Sequence, residues 1–282
     1  MNAPAQINLH SANGWAVLPA SLKCPDGKPR FNLNFPINLV TDPGAVHLIA
    51  NEYGPGYEPS TRDVIERTLR SGDLFVDVGA HWGFFSLLAA THHSGAIDVV
   101  AFEPELANAA ILSENVARNK TSNVTVVCAA CGDENKLAPL IMNSTMGHSI
   151  QGADGRLNAR IPSRWVPVVT LDSALSTLQK QLDQRIILKI DAEGFEPNII
   201  AGARKLLQAG RIALIVWECG GAFFEGARRA AMAQMVGFLD ECGFRHLRAP
   251  ANSLDEPSVG FDSECGYYGN VFSFLPRRTP HG

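Results

Sequence analysis

The stretch Phe75-Val-Asp-Val-Gly-Ala-His-Trp-Gly-Phe-Phe-Ser86 decides the fold of this 282-residue chain. A continuous apolar run ends here at Asp77. The chain then turns through Gly79 and Ala80 and enters a helical stretch with Gly83 in its first turn. This pattern predicts a strand, a tight turn and a helix whose exposed N–H groups attract negative charge. Turns of this kind also occur for packing alone, so the turn indicates a ligand only together with its structural context.

Short apolar runs alternate with helix-length segments along the rest of the chain. Helical stretches separate five such runs: Leu74–Val78, Asp98–Phe102, Asn123–Cys128, Arg185–Ile190 and Arg211–Glu218. Strands that are apolar on both faces and separated by helices predict a parallel sheet covered on both sides. The last apolar segment, Gly269–Leu275, alternates instead and predicts a final antiparallel strand.

Two regions do not follow this alternation of apolar runs and helical stretches. Residues 1–56 are rich in Pro, Asn and Gly, and predict an irregular N-terminal extension in which apolar stretches such as Ala45–Ala50 form a few short strands. Residues 57–282 then form the predicted α/β domain, whose first helix we expect Ser60 to cap. Within this domain, residues 135–166 are rich in turns. Such an insertion at the edge of a parallel sheet either forms the substrate side of a pocket or is only a surface loop.

Composition and charge exclude several classes of protein. The formal net charge is −4, and no cluster of Lys or Arg exceeds a pair, whereas nucleic-acid-binding proteins usually carry a basic face. We therefore expect no nucleic-acid partner. No apolar run approaches the roughly 20 residues of a membrane span, and the first residues lack the basic and apolar segments of a signal peptide. With six cysteines that we expect to be reduced, the sequence predicts a cytoplasmic protein without a membrane partner, its oligomeric state left open.

A second carboxylate accompanies the glycine turn. Glu103 follows the next predicted strand, about 20 residues further on, where a carboxylate can accept hydrogen bonds from both ribose hydroxyls of an adenosine. The turn lacks the Gly-x-Gly-x-x-Gly pattern that fits a pyrophosphate. Asp77 would repel a pyrophosphate, but it suits a ligand with an ammonium group. S-adenosylmethionine, with its adenosine, sulfonium and amino-acid tail, therefore fits the turn better than a dinucleotide.

The strand Arg185–Ile190 leads into charged residues. Lys189, Asp191 and Glu193 lie two apart and would share one face of an extended chain. Because ligands of open α/β sheets bind beyond the carboxyl ends of the strands, Asp191 is the first candidate for a base or hydroxyl-orienting group, and Glu193 the second. The structural alternative is a Lys189–carboxylate ion pair with Glu193 as a helix cap. These carboxylates could also hold a divalent ion, so a metal stays possible.

Five motifs together resemble the FkbM-type methyltransferases, a branch of the S-adenosylmethionine-dependent class I fold. In chain order they are Asp77-Val-Gly-Ala-His-Trp-Gly, Phe102-Glu-Pro, Glu114-Asn-Val-Ala-Arg-Asn119, Val168-Val-Thr-Leu-Asp172 and Leu188-Lys-Ile-Asp-Ala-Glu-Gly-Phe-Glu196. The resemblance covers about residues 57–220. It implies a Rossmann-like, seven-stranded and mostly parallel sheet, and O-methylation of a hydroxyl on a sugar, polyketide or other small metabolite. Trp82 departs from the pattern, because an aliphatic residue is common at this position in the family.

The residues and the resemblance together assign a cofactor site and a reaction. Nine residues are expected to bind S-adenosylmethionine: Asp77, Gly79, Ala80, His81, Gly83, Glu103, Pro104, Ala130 and Cys131. Asp191 and Glu193 are the predicted catalytic residues, and no metal ligand is assigned. Two alternative functions are a nicotinamide-dependent oxidoreductase and a protein that binds S-adenosylmethionine without catalysis.

Several weaker signals have more than one interpretation. His81 could touch the cofactor tail or be a surface histidine. The Cys128-x-x-Cys131 spacing lacks the partners of a zinc or redox site, so we expect no such site. Glu58 could help to close the cofactor site, and Trp217 with Glu218 could line the substrate pocket or pack in the core.

Overall fold

The structure is a computed structural model that describes residues 14–52, 56–142, 148–150, 163–178, 183–219, 226–248 and 269–276. In chain order its elements are β1 (Trp15–Pro19), β2 (Asn32–Pro36), α1 (Pro43–Glu52), α2 (Pro59–Thr68), β3 (Leu74–Val78), α3 (Phe84–Ala90), β4 (Asp98–Phe102), α4 (Leu106–Arg118), β5 (Val124–Val127), β6 (Ala130–Cys131), β7 (Lys136–Met142), β8 (His148–Ile150), β9 (Ser163–Val169), α5 (Leu171–Thr177), β10 (Ile186–Ile190), α6 (Glu196–Ala201), α7 (Arg204–Gln208), β11 (Ile212–Cys219), α8 (Gly226–Glu241), β12 (Arg245–Arg248) and β13 (Gly269–Phe274).

A seven-stranded sheet forms the centre, in the order β12-β13-β11-β10-β3-β4-β5. The neighbours from β11 to β5 pair in parallel, and β13 runs antiparallel to both β11 and β12. This topology confirms the predicted class I methyltransferase fold, including its antiparallel last strand. The order reverses between β10 and β3, so the carboxyl ends of these two strands border the crevice where ligands of open α/β sheets bind.

Both faces of the sheet are buried, which explains the continuous apolar runs. All five residues of β3 and all five of β10 are buried. Alternate residues of β3 face two separate cores: Val76 packs with the helices α5 to α8, whereas Phe75 packs with α1, α2 and α3. A strand buried on both faces needs apolar side chains at every position, so its sequence does not alternate.

The N-terminal region is more regular than its sequence suggests. Strands β1 and β2 form an antiparallel hairpin, and Leu33 and Phe35 of β2 lie in the same core as Phe75. The predicted strand at Ala45–Ala50 is wrong, because this stretch lies within α1. Asp42 Oδ1 accepts a hydrogen bond from the Gly44 N–H at 2.9 Å, which satisfies one of the open donors of the first helical turn.

The helix boundaries differ from the predicted ones at two places. Ser60 does not cap α2, because the helix already begins at Pro59, whose fixed φ angle suits a first helical turn. The helical stretch expected between Arg185–Ile190 and Arg211–Glu218 is divided into α6 and α7 at Gly202. This glycine packs so closely on Gly132 that a Cβ atom would collide with the Gly132 carbonyl oxygen. No helix among the described residues combines the length and the apolar character that crossing a membrane requires.

The insertion at residues 135–166 is not a plain loop where the structure describes it. Strands β7, β8 and β9 join β6 in a second, four-stranded sheet with the order β6-β9-β7-β8. In β7, Ala138 and Leu140 are buried while Leu137 is exposed, so the strand does alternate. Pro139 within the strand conceals this pattern, since proline is unusual in strands. The turn-rich stretch at residues 152–156 lies outside the described residues.

Candidate active site

A cleft at the carboxyl ends of β3, β4 and β10 brings most of the predicted site residues together. It encloses about 990 Å³, counting the part that is open to solvent. Ten of the eleven predicted residues line it: Asp77, Gly79, Ala80, His81, Glu103, Pro104, Ala130, Cys131, Asp191 and Glu193. The eleventh, Gly83, does not line the cleft. It precedes α3 with a φ of 92° and packs against Leu112, so its role is in the conformation of the turn.

Gly79 joins the glycine turn to the loop that follows β10. Its φ of 77° lies in the left-handed region, and a Cβ atom there would collide with the carbonyl oxygen of Asp191. The N–H groups of Gly79 and Ala80 both donate to the Phe102 carbonyl oxygen at 3.0 Å. Only glycine meets both demands, and the turn is thereby fixed to β4 and to the loop that carries Asp191.

Asp77 is a buried carboxylate whose two oxygens differ in their hydrogen bonding. Ser86 Oγ donates to its Oδ2 at 2.7 Å, whereas Oδ1 is buried and has no hydrogen-bond partner among the described residues. Burial raises the pKa of Asp77, and the charge of Lys189, its register partner on β10, opposes this. A buried oxygen with a free lone pair in a ligand-sized cleft fits an ammonium group.

Glu103 lies directly after β4 and is held by two backbone donors. Its Oε2 accepts the His81 N–H at 2.8 Å, and its Oε1 accepts the Glu105 N–H at 2.9 Å. Burial raises the pKa of Glu103 to about 7, and the hydrogen bonds partly oppose this increase. His81 itself has a φ of 50°, so the turn directs its N–H towards the carboxylate. Glu103 is thus fixed at the position predicted to bind a ribose.

Three carboxylates gather at the carboxyl ends of β10 and β11. The acidic cluster consists of Asp191, Glu193 and Glu218, which each offer an oxygen within 4.8 Å of the others. Lys189 Nζ forms a salt bridge with Asp191 Oδ2 at 3.1 Å. Burial, together with the charges of Asp191 and Glu193, raises the pKa of Glu218 to about 7. The expectation of one shared extended face was wrong for Glu193, because its φ of 52° turns the chain.

Glu196, not Glu193, accepts backbone N–H groups of the loop before α6. Its Oε1 accepts the Ala192 N–H at 3.1 Å and the Gly194 N–H at 3.4 Å. The side chain is fully buried, and burial raises its pKa to about 8. Glu196 therefore stabilises, from its buried side, the loop that carries Asp191 and Glu193.

One wall of the cleft was not predicted from the sequence. Leu33, Leu48 and Tyr57 line it from the N-terminal region. The Tyr57 ring lies edge-on against Phe84 at 5.0 Å between centroids, and the Tyr57 N–H donates to Glu52 Oε1 at 3.0 Å. These residues come from a hairpin, a helix and a loop, so no spacing in the sequence could bring them together. Only the position of Tyr57 next to Glu58 was a signal.

Trp217, Glu58 and the two cysteines of the Cys-x-x-Cys spacing have different environments in the structure. Trp217 is completely buried, and its indole N–H donates to Ser273 Oγ at 2.8 Å, so it packs in the core. Glu58 Oε2 accepts a hydrogen bond from Asn270 Nδ2 at 2.8 Å. Cys128 is exposed and Cys131 is buried in the cleft wall. Among the described residues, only the acidic cluster brings three Asp, Glu, His or Cys side chains close enough together to hold a metal ion. This cluster contains no cysteine.

The family of the chain is established by its sequence. The model of the methyltransferase FkbM domain matches residues 77–246, which is more than half of the chain. The chain belongs to the FkbM methyltransferase family, whose members form a class of S-adenosylmethionine-dependent enzymes. The match favours a methyltransferase over the nicotinamide-dependent alternative. A comparison with curated proteins gave no match.

Several solved structures are similar to the chain at low identity. An FkbM methyltransferase from Methylobacillus flagellatus KT is 15% identical, with 82% of this chain and 53% of that chain covered and a TM-score of 0.46. An O-methyltransferase from Bacillus cereus in complex with S-adenosylhomocysteine is 14% identical, with 82% and 87% covered and a TM-score of 0.45. A precorrin-6y C5,15-methyltransferase from Geobacter metallireducens GS-15 is 13% identical, with 78% and 89% covered and a TM-score of 0.42. The chain spans about half the length of the Methylobacillus protein.

Proposed function

We propose that the chain transfers a methyl group from S-adenosylmethionine to a hydroxyl group of a small molecule. The observation that carries this proposal is the position of Asp191 at the cleft, 3.1 Å from a buried lysine and in the same cleft as Asp77 and Glu103. The residues proposed to bind the cofactor and the carboxylate proposed to act as a base thus line the same cleft. A hydroxyl is a weak nucleophile until its proton begins to leave, so a methyltransferase acting on it benefits from such a carboxylate.

The cleft has the groups that S-adenosylmethionine requires. Glu103 would accept hydrogen bonds from the ribose hydroxyls. Asp77 Oδ1, which has no partner among the described residues, would accept one from the ammonium group of the amino-acid tail. Ala130 and Cys131 offer small, buried side chains for the adenine. The close contact of Gly79 with the Asp191 backbone leaves no room for a side chain at this position of the turn. These two acceptors therefore suit the ribose hydroxyls and the ammonium group of the cofactor.

The residues of the chain would act mainly by orientation and proton transfer. When bound, the cofactor supplies a methyl group on a positively charged sulfur. Asp191 would hydrogen-bond the acceptor hydroxyl and take its proton, a role that contributes roughly 10²- to 10⁴-fold in rate. Lys189 holds the Asp191 carboxylate through its salt bridge, and Glu196 holds the loop behind it. Alignment of the reacting groups supplies a further ~7–11 kcal/mol.

The charge of the cleft supports a small acceptor rather than a nucleic acid. The acidic cluster lies at the acceptor end, and Glu58 lies near enough to raise the pKa of Glu218. Lys189 is already paired with Asp191. Phosphate backbones bind to basic surfaces, so this end of the cleft would repel them.

The proposal is tested by turnover. Purified protein is incubated with S-adenosylmethionine and a panel of sugars, polyketides and phenols, together with amine analogues of the same compounds. Formation of S-adenosylhomocysteine is followed by mass spectrometry, and NMR locates the methyl group in the product. We expect methyl groups on oxygen. Methylation of the amine analogues alone, or binding of the cofactor without turnover on any acceptor, contradicts the proposal.

A further inference from the structure

Three stacked rings connect the N-terminal hairpin to the glycine turn. Phe35 of β2 stacks on Trp82 with centroids 5.3 Å apart and an interplanar angle of 20°. Trp82 in turn stacks on His81 with centroids 4.6 Å apart and an angle of 21°. Trp82 is only 1% exposed. The residue that departs from the family pattern thus lies between the hairpin and the cofactor-binding turn.

The indole of Trp82 also reaches the ribose-binding carboxylate through one intermediate. Its Nε1–H donates to Asn108 Oδ1 at 3.0 Å. The side-chain amide of Asn108 in turn lowers the pKa of Glu103 by hydrogen bonding, a smaller effect than those of burial and of the Glu105 and His81 backbone donors. Asn108 lines the cleft beside Glu103. An aliphatic side chain at position 82 could fill the same space, but it has no N–H group to orient Asn108.

A second set of hydrogen bonds fixes Trp82 to the hairpin through α4. Asn115 Nδ2 donates to the Trp82 carbonyl oxygen at 2.9 Å. Asn115 Oδ1 accepts the Asn34 N–H at 2.6 Å and Asn34 Nδ2 at 3.0 Å. Asn34 and Asn115 are both buried, so these bonds are shielded from water. The hairpin therefore holds Trp82 at two points: Phe35 stacks on its ring, and Asn34 is linked to its backbone through Asn115.

We propose that Trp82 is a positioning residue for the nucleoside end of the cofactor, because it transmits the packing of the hairpin through Asn108 to Glu103. The proposal rests on the cofactor named in the proposed function. Phe35 and Asn34 lie outside the residues matched by the family model. The part of the chain outside that match thus supports the part that binds the cofactor.

Other charged and titratable groups around Glu103 stay in place in the variants that test this proposal. They are the Glu105 carboxylate, which pairs with Arg164 of β9, the Cys128 thiol after β5 and the His81 imidazole. A change in the titration of Glu103 in a Trp82 variant is therefore attributed to Asn108.

The experiment is isothermal titration calorimetry with S-adenosylhomocysteine at several pH values between 6 and 8.5. Trp82→Phe keeps the ring stack and removes the N–H group. We expect its Kd to rise about fivefold, as for the loss of one hydrogen bond. We also expect the pH midpoint of binding to move upward, because Glu103 loses a donor that favours its charged form. Asn108→Ala should produce both changes with the indole in place, and it serves if Trp82→Phe does not fold.

Trp217→Phe is the matched control, since it also removes a buried indole hydrogen bond but lies outside the cleft. It should leave the Kd and the midpoint unchanged. An unchanged Kd in Trp82→Phe overturns the proposal, and so does a weaker Kd with an unmoved midpoint, which is what a general loss of packing would give. Failure of the unmodified protein to bind S-adenosylhomocysteine is a different result, because it contradicts the proposed function instead.

Discussion

Lys189 and Asp191 form a salt bridge at 3.1 Å. The lysine side chain is buried, at 5% exposed, whereas the aspartate side chain is 35% exposed. The ammonium also lies 4.8 Å from the centre of the Phe85 ring. Burial lowers the pKa of Lys189, but the charges of Asp191 and Asp77 outweigh this and raise it above its ordinary value. The lysine therefore neighbours both the carboxylate proposed for the cofactor and the carboxylate proposed for the acceptor.

Asp191→Asn should lower turnover about 100-fold or more, because an amide cannot take the proton of the acceptor hydroxyl. The Kd for S-adenosylhomocysteine should change little, since Glu103 and Asp77 remain. Steady-state kinetics on an acceptor from the panel and calorimetry separate the two effects. Glu193→Gln is the matched comparison, and its smaller expected effect follows from its turned backbone. Full turnover by Asp191→Asn would exclude a role as base.

Turnover should survive dialysis against EDTA. The acidic cluster could provide oxygen ligands within 4.8 Å of one another, but Lys189 already supplies a positive charge to Asp191. Removing a proton from the hydroxyl then needs only the carboxylate. The rate is measured before and after dialysis and again with added Mg²⁺ or Mn²⁺. A loss of activity that either ion restores would instead show that the cluster holds a metal.

The affinity for S-adenosylhomocysteine should rise as the pH increases through about 7. Burial raises the pKa of Glu103 to about 7 in the free protein, and only its charged form can accept hydrogen bonds from both ribose hydroxyls. Glu103→Gln should bind more weakly by ~1.5–3 kcal/mol, the typical value for a hydrogen bond to a charged group. It should also lose the rise with pH. Calorimetry of both proteins across this range tests the ribose role, and identical curves would refute it.

The sequence predicts the central sheet well because its strands are buried on both faces. Burial on both sides requires uninterrupted apolar runs, and Leu74–Val78 and Ile186–Ile190 are such runs. Gly79 was predictable because the tight turn from strand to helix needs a left-handed backbone conformation, which glycine adopts readily. Local chemistry of this kind is visible in a single sequence.

Features that depend on distant contacts were not predictable. Ala45–Ala50 has an apolar pattern that a short strand and a short helix share, and packing of Leu48 against the hairpin decides for the helix. Glu196 was noticed only as part of a motif, since its role depends on hydrogen bonds to the loop before it. The wall formed by Leu33 and Tyr57 depends on how the N-terminal region folds back over α3.

Tyr57→Phe should raise the KM for the acceptor about fivefold, as for the loss of one hydrogen bond, and leave the Kd for S-adenosylhomocysteine unchanged. The hydroxyl lies close enough to Glu58 and Asp191 for both to raise its pKa, after the larger effect of burial. The ring contacts with Phe84 and Phe85 remain in the variant. Kinetics on the panel acceptor and calorimetry are the measurements. An unchanged KM would place the acceptor elsewhere in the cleft.

Glu196→Gln should make the free energy of unfolding less dependent on pH. Burial raises the pKa of Glu196 from its ordinary 4.5 to about 8, so between these values the folded protein keeps a proton that the unfolded chain has released. Stability therefore falls as the pH rises through this window, by up to ~1.4 kcal/mol per pH unit for this one group. The amide keeps an oxygen for the Ala192 and Gly194 N–H groups but does not titrate.

Urea unfolding of both proteins at pH 5, 6, 7 and 8 measures this difference. Glu103 and Glu218 also titrate near pH 7, but they are present in both proteins, so the difference between the two curves isolates Glu196. The glutamine variant should gain on the unmodified protein with each unit of pH. Parallel curves would mean that Glu196 does not hold its proton in the folded state and braces the Asp191 loop as a carboxylate throughout this range.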